Sequence, residues 1–593
     1  MESTSRSEEE IFNNLSELCS SPGYIHVIAF FSYKDNVISY NETLEVEDML
    51  RQFSRHRLVR TEISTLIGLL IKQKIDWSLP SPEVFQSMID KTISLLEEIH
   101  VSMYGNFFSN LDPQQIQEEG FNPFANATTL REPIFYGSES AYLFQYKDLL
   151  EKKYAKDIDW FLNNKGYTPN DVRHVTDCII KIQNDKLLET LKNFSQKHPS
   201  NWTLLPGFCF TTHEISSRLT SIEEKSVKSI LDSFSILSDR KNNESFKSLG
   251  DFNRSNAYPI IKYGEDQYLL FQVYSLAEAY YETPFFWFNE DKSYKNLAMK
   301  HRGDFTEEFA KERLQLVFGK ENVLSNIDIF DNKENKAGEI DVLVVFANRA
   351  IILQAKSKKL TLASRKGNDK CLKDDFKKAI QDSYNQGYTC AGLINNKSYR
   401  LCVSDSEEQL VNRDFKEIYI FCVVSDHYPA LSFQARQFLK YHQTKKILPP
   451  FVMDVFLLDV MTEMLQSPLQ FLNYINRRVL YGERILASNE LTILSYHLKN
   501  NLWISNEYDL FTLDDNISTD LDLAMTVRRT ELKGNETPDG ILTRFQETTV
   551  GKLIAQIEHL EVPITIDLGF MLLHLNEETL YQISNRHLHN LIK

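Results

Sequence analysis

"GEIDVLVVFANRAIILQAKSKK", residues 338–359, decides how this chain is read. Two runs dense in Val, Ile and Leu, 340–346 and 350–355, flank Asn348 and Arg349, a pattern that predicts a β-hairpin. Both runs are apolar on both faces, as in strands covered by helices on each side, so the hairpin belongs inside an α/β domain. Three polar residues interrupt it where burial should exclude them: Asp341 opens the first run, and Gln354 and Lys356 close the second. A turn centred on Asn348 and Arg349 sets Ala347 opposite Ala350, and by continuation Leu343 opposite Gln354 and Asp341 opposite Lys356. Side chains alternate with period two, so all three polar groups fall on one face at one end of the hairpin. Opposed Cβ atoms lie about 5 Å apart and diagonal ones about 7–8 Å. A divalent cation could therefore bridge Asp341 and Gln354 with Lys356 alongside. The competing reading is a buried Asp341–Lys356 ion pair that compensates its own charges, a poor source of net stability once desolvation is counted.

The neighbouring sequence extends the hairpin into a domain. "GDFTEEFAKERLQLVFG" reads as a helix ending at Gly319, with Phe305, Phe309, Ala310, Leu314 and Val317 on its apolar face and Glu307 and Glu308 in its first turn. "NVLSNIDIF" is a strand, the loop "KSKKLTLASRKGNDK" is basic, "KDDFKKAIQDSYNQG" is a helix, and "EIYIFCVVS" is a strand that joins the same sheet. The order predicts an α/β fold with a central mixed sheet flanked by helices. Acids in a first helical turn also have a bland explanation, since they favour the helix dipole by about 0.3–1 kcal/mol.

The helix acid, "GEIDVLVV" and "ILQAK" together resemble the PD-(D/E)xK nuclease superfamily, in particular its restriction-endonuclease-like and nuclease-related-domain branches, where the second motif is often Q-x-K. The resemblance covers about residues 301–400, extending toward 425. It implies that Asp341 is a metal-ligating aspartate, Gln354 stands where Glu or Asp is usual, Lys356 is the motif lysine and Glu307 is the helix acid. Glu308 competes with Glu307, and Gln386 on the last helix is a weaker candidate for a polar residue near the site. The implied cofactor is Mg²⁺, with Mn²⁺ as a substitute, and the implied reaction is phosphodiester hydrolysis, more in keeping with an endonuclease than an exonuclease. A neutral amide at Gln354 leaves the site one formal charge short, so a degenerate nuclease is the alternative. Lys358, Lys359, Arg365 and Lys366 would bind the phosphate backbone, which supplies affinity and no base specificity.

Net charge is −16 over 593 residues, which argues against a general nucleic-acid binder. The charge is uneven: residues 301–400 hold 18 Lys and Arg against 14 Asp and Glu, and residues 354–378 hold nine basic and three acidic. The length implies three or four domains. The expected division is a mainly helical region at 1–250, the nuclease-like domain at 251–425 and an α+β region at 426–593. In the first region "YIHVIAFFSY" reads as a strand, whereas Thr168 caps a helix begun by Pro169. In the last, "NLWISNEYDLFTL" and "PITIDLGFMLLHL" mix strand and helix character. The aromatic run "YYETPFFWF" is read as packed between domains and not as a base-stacking platform.

No apolar run reaches about 18 residues, and the N-terminus "MESTSRSEEE" lacks the basic start and apolar stretch of a secretory signal, so a cytoplasmic protein without membrane contact is expected. Seven scattered cysteines without a C-x-x-C pair argue against a zinc ribbon or a disulfide framework. There is no G-x-x-x-x-G-K-[ST], G-x-G-x-x-G or H-E-x-x-H. The expectation is a metal-dependent nuclease acting on nucleic acid, DNA before RNA, in bacterial defence or repair, as a homo-oligomer or with a separate regulatory partner. Its rival is a non-catalytic scaffold on a degenerate nuclease fold.

Overall fold

A computed structural model of the chain describes residues 6–54, 56–109, 130–137, 141–358, 361, 369–403, 414–505, 507–576, 578–580 and 582–583. The N-terminal half is dominated by helices, among them α1 (Tyr24–Asn36), α2 (Pro82–Ser109), α3 (Leu143–Lys153) and α4 (Pro169–Phe194). Thr168 accepts from the Asp171 N–H and caps α4 as its sequence predicts. Helix α1 corrects the strand expected at "YIHVIAFFSY". Most of its residues from Tyr24 to Ser32 are buried. A helix wrapped on all sides needs no polar stripe, so its 3.6-residue period is invisible in the sequence.

Four short strands follow in the order β1-β4-β3-β2, with β1 (Cys209–Phe210), β2 (Ser235–Leu237), β3 (Ile260–Gly264) and β4 (Gln267–Leu269). β3 and β4 form an antiparallel hairpin. β2 pairs parallel with β3, so the division expected at residue 250 passes between hydrogen-bonded strands. Helix α5 (Val273–Glu282) carries the start of the aromatic run, and Tyr280, Tyr281, Trp287 and Phe288 are buried.

Helix α6 (Lys295–Phe318) leads into the central sheet, whose order is β10-β9-β7-β6-β5-β8. Its strands are β5 (Val323–Phe330), β6 (Lys336–Phe346), β7 (Arg349–Lys356), β8 (Arg400–Val403), β9 (Glu417–Val424) and β10 (Phe451–Asp454). β7, β9 and β10 run parallel to one another, and β6, β5 and β8 extend the sheet antiparallel. Because β10 pairs with β9, the division expected at 425 likewise falls inside this sheet. One face packs on α6 through Phe305, Phe309 and Leu314. The other is covered by α7 (Asp369–Phe376), a π-helical turn (Lys377–Gln381) and α8 (Asp382–Ile394).

Two expectations for this domain are corrected. Helix α6 begins at Lys295, so Glu307 and Glu308 lie in its middle and the dipole explanation for them is gone. Gly303, which reads as a helix start, is simply tolerated inside the helix. The hairpin turns at Ala347 and Asn348, with Ala347 in the left-handed region at φ 51°, and Phe346 pairs with Arg349.

Beyond β10 the chain is mainly helical, including α9 (Val455–Met464), α10 (Thr549–Leu560) and α11 (Pro563–Leu573). Among the described residues the strand content there is a parallel pair of two-residue segments, Ile485–Leu486 and Phe511–Thr512, and "PITIDLGFMLL" is helix where mixed character was expected. Among the described residues no helix is long and apolar enough to cross a membrane.

Candidate active site in a fork of the sheet

The observed turn changes every cross-strand partner in the hairpin. Val342 pairs with Leu353 and Val344 with Ile351, a register in which the position opposite Asp341 is Gln354, and Lys356 falls opposite Glu339. The shift moves each partner by two residues, which preserves the side-chain face, so the three polar residues still gather at one end.

They do not gather on a flat ladder. Pairing between β6 and β7 ends at Val342 and Leu353. Beyond that point β6 stays with β5 as far as Lys336, while β7 stays with β9 as far as Lys356. The sheet therefore forks. Opposite Asp341 on β5 stands Asn326, whose φ of 54° breaks the regular strand. Across this kink the alternation reverses: Ser325 accepts from Lys311 on α6, whereas Ile327 and Ile340 both join the core beneath α8. The reversal turns the start of β6 so that its acids meet α6.

Side chains replace the missing ladder bonds inside the fork. The Ala355 N–H donates to Asp341 Oδ2 at 2.7 Å. Gln354 Nε2 donates to the Glu339 carbonyl at 2.7 Å, an acceptor shared with Gln386 Nε2 at 3.4 Å and Cys390 Sγ at 3.3 Å on α8. Because a carbonyl only accepts, this bond fixes which way the Gln354 amide points. Gln354 is 0% exposed, and its Oε1 has no hydrogen-bond partner. Lys356 Nζ donates to Gln386 Oε1 at 3.2 Å. Among the described residues it makes no ion pair, so the self-compensating Asp341–Lys356 pair is not what the fold builds.

Glu307 faces this cluster from α6. Burial, then the nearby carboxylates of Asp341, Asp304 and Glu339, push its carboxyl up to about 7, with Lys356 opposing. Burial also raises Asp341, offset by the Ala355 N–H and by Lys356. Glu308 points elsewhere: it is exposed and paired with Lys156 at 2.8 Å. Of the two competing acids, Glu307 is the one in the fork.

Two acids at the site were not singled out from sequence. Glu339 and Asp304 both act electrostatically on Glu307, and both are held by lysines, Glu339 by Lys336 at 2.7 Å and Asp304 by Lys156 at 2.9 Å. Glu339 lies two positions before Asp341, a spacing that could have flagged it. Lys358 is paired with Asp375 at 3.1 Å. Lys359, Arg365 and Lys366 lie outside the described residues.

Whether the cluster suits a metal ion can be judged from its donors. Asp341, Glu307 and the unpartnered Gln354 Oε1 offer hard oxygen ligands of the kind Mg²⁺ and Mn²⁺ take. Among the described residues no group of three or more His, Cys, Asp and Glu is placed to hold a metal. An amide oxygen stands outside such a set, and here it is the buried acceptor that lacks a donor.

A forked mixed sheet with helices on both faces, gathering acids, an amide and a lysine in the fork, defines a nuclease-like α/β domain. Residues 302–424 match the family model of the nuclease-related domain (NERD), a span that agrees with a PD-(D/E)xK-like domain over this segment of the chain. No curated protein and no solved structure matches the chain.

Proposed function

We propose that the fork hydrolyses phosphodiester bonds, with DNA as the substrate and Mg²⁺ as the metal. Glu307, Asp341 and Gln354 would hold the ion, with water and a substrate phosphate completing its shell. When bound, it supplies Lewis-acid polarisation of the phosphate and a more acidic water. The residues of the chain do the rest. Lys356, oriented by Gln386, directs its ammonium at the charge that grows on the phosphate oxygens. Glu307, with its carboxyl pushed up to about 7, would have to give up its proton to serve as a ligand, so metal affinity should rise with pH up to about 7 and level off above it. The observation that carries this reading is the buried, unpartnered Oε1 of Gln354, the residue just before the Ala355 N–H that Asp341 holds in the fork. A role in defence or repair of DNA fits this chemistry, with cleavage by the chain alone.

The absence of a three-acid group among the described residues favours a second reading, a domain that binds nucleic acid or protein without cleaving it. Assays on plasmid, single-stranded DNA and RNA with Mg²⁺ or Mn²⁺, repeated with Asp341→Asn and Lys356→Ala, separate the two. Cleavage lost in both variants supports the nuclease. Equal cleavage by all three proteins indicates a contaminant, and binding without cleavage of any substrate supports the scaffold.

A further inference from the structure

Just beyond the fork lies a buried charged cluster assembled from elements far apart in sequence. The side chains of Lys153, at the end of α3, and Asp426, two residues past β9, are each 1% exposed, and that of Arg302 on α6 is 9% exposed. Lys153 Nζ donates to Asp426 Oδ1 at 2.6 Å and to the Tyr281 carbonyl at 3.0 Å, and sits 3.4 Å from the centre of the Tyr281 ring. Asp426 Oδ2 accepts from the Arg302 guanidinium and, at 2.8 Å, from Ser425 Oγ. Tyr281 in turn donates its hydroxyl to the Ser425 carbonyl at 2.8 Å.

Two cations and one acid this deeply buried are a poor route to stability, because apolar residues of the same volume hold a core as well or better. What the cluster does hold is the site. The Ser425 N–H donates to the Lys356 carbonyl at 3.1 Å, one residue past the regular β7–β9 pairing. Lys356 is thereby fixed at its backbone by Ser425 and at its ammonium by Gln386. The same Asp426 carboxylate grips Arg302, five residues before Glu307 on one continuous helix. One carboxylate thus sets both walls of the fork, and Lys153 orients that carboxylate from outside the segment matched to the nuclease-related domain.

We propose that Lys153 is a positioning residue for the phosphodiester site: with Asp426 and Arg302 it fixes the strand end that presents Lys356 and the helix that presents Glu307. The inference rests on the reading of the fork as a nuclease site, and its test is separable from that reading. Full-length Lys153→Met, which keeps the length and removes the charge, is compared with wild type in single-turnover cleavage of duplex DNA with Mg²⁺. Duplex affinity is measured in parallel with Ca²⁺. A structural defect alone reduces the reacting fraction and leaves the rate constant of the folded molecules unchanged. A positioning role lowers the rate constant itself, here by at least about ten-fold, with affinity within about two-fold of wild type. A wild-type rate constant in the variant overturns the proposal. Should Lys153→Met fail to fold, the isosteric Asp426→Asn is held to the same criterion. If wild type cleaves nothing, the nuclease reading fails. The cluster is then tested by amide hydrogen exchange: faster exchange over 354–358 and 420–426 in the variant, with β5 and β8 unchanged, supports positioning, and equal exchange throughout refutes it.

Discussion

Replacing Glu307 with glutamine should make this protein more stable at pH 8 while removing an acid from its site. The unfolded carboxyl releases its proton near its ordinary value of 4.5, whereas burial and three neighbouring carboxylates hold the folded one to about 7. Between those values the unfolded chain has lost the proton and the folded chain keeps it. Stability from this group therefore falls as pH rises through the window, and is constant below and above it. A carboxyl moved that far carries about 3 kcal/mol at most. Glu307 is only partly buried, and solvent screening brings the expectation to about 1–2 kcal/mol. Thermal midpoints of wild type and Glu307→Gln in EDTA, at pH 5 and pH 8, measure it. The variant should melt higher by roughly 1–2 °C at pH 8, and the gap should nearly close at pH 5. Equal midpoints at pH 8, or a gap of the same size at both pH values, would refute the crowding of acids around Glu307.

Three further outcomes follow from the same geometry. Gln354→Glu places a carboxylate against the Glu339 carbonyl with no donor between them, so its melting midpoint should drop in EDTA and recover with Mn²⁺; a drop that Mn²⁺ leaves untouched counts against a metal in the fork. Arg349→Met strips a fully buried guanidinium from Glu417 and Asp567, a loss of about 3 kcal/mol that should expose the α10–α11 hairpin to limited proteolysis. Lys358→Ala should leave the salt dependence of duplex binding unchanged, because Asp375 already neutralises that lysine; a slope reduced by about one would show a phosphate contact instead.

Much of the central domain was legible because its elements obey simple periods. Runs of Val, Ile and Leu on both faces of β6 and β7 require helical cover, and the helix–strand–strand–strand–helix order follows directly. The wrong turn left Gln354 and Lys356 on one face of β7, because a two-residue shift leaves the faces alone, whereas Asp341 meets them only through the fork. The turn itself was hidden: Asn348 is the natural candidate for a left-handed conformation, yet Ala347 adopts it. The fork was hidden too. Only tertiary packing shows that β6 follows β5 while β7 follows β9, and that Asn326 reverses the alternation between them. Helices α1 and α11 were misread for opposite reasons. The first is buried on nearly every side, and the second carries apolar residues on exposed positions, with Ile564 82% exposed, so neither shows a polar stripe.

Helix α6 behaves as a beam about 36 Å long, bolted at two points on either side of the acid it delivers. One bolt is Arg302 on Asp426; the other is Arg313, whose guanidinium donates to Thr462 Oγ1 at 2.9 Å and to the Asp459 carbonyl at 2.8 Å on α9. Both anchorages lie outside residues 302–424. A fragment trimmed to that span would carry every polar group of the fork and five strands of the sheet, but it would lack β10 and its beam would be loose at both ends. Silence from such a fragment would say nothing about the intact chain.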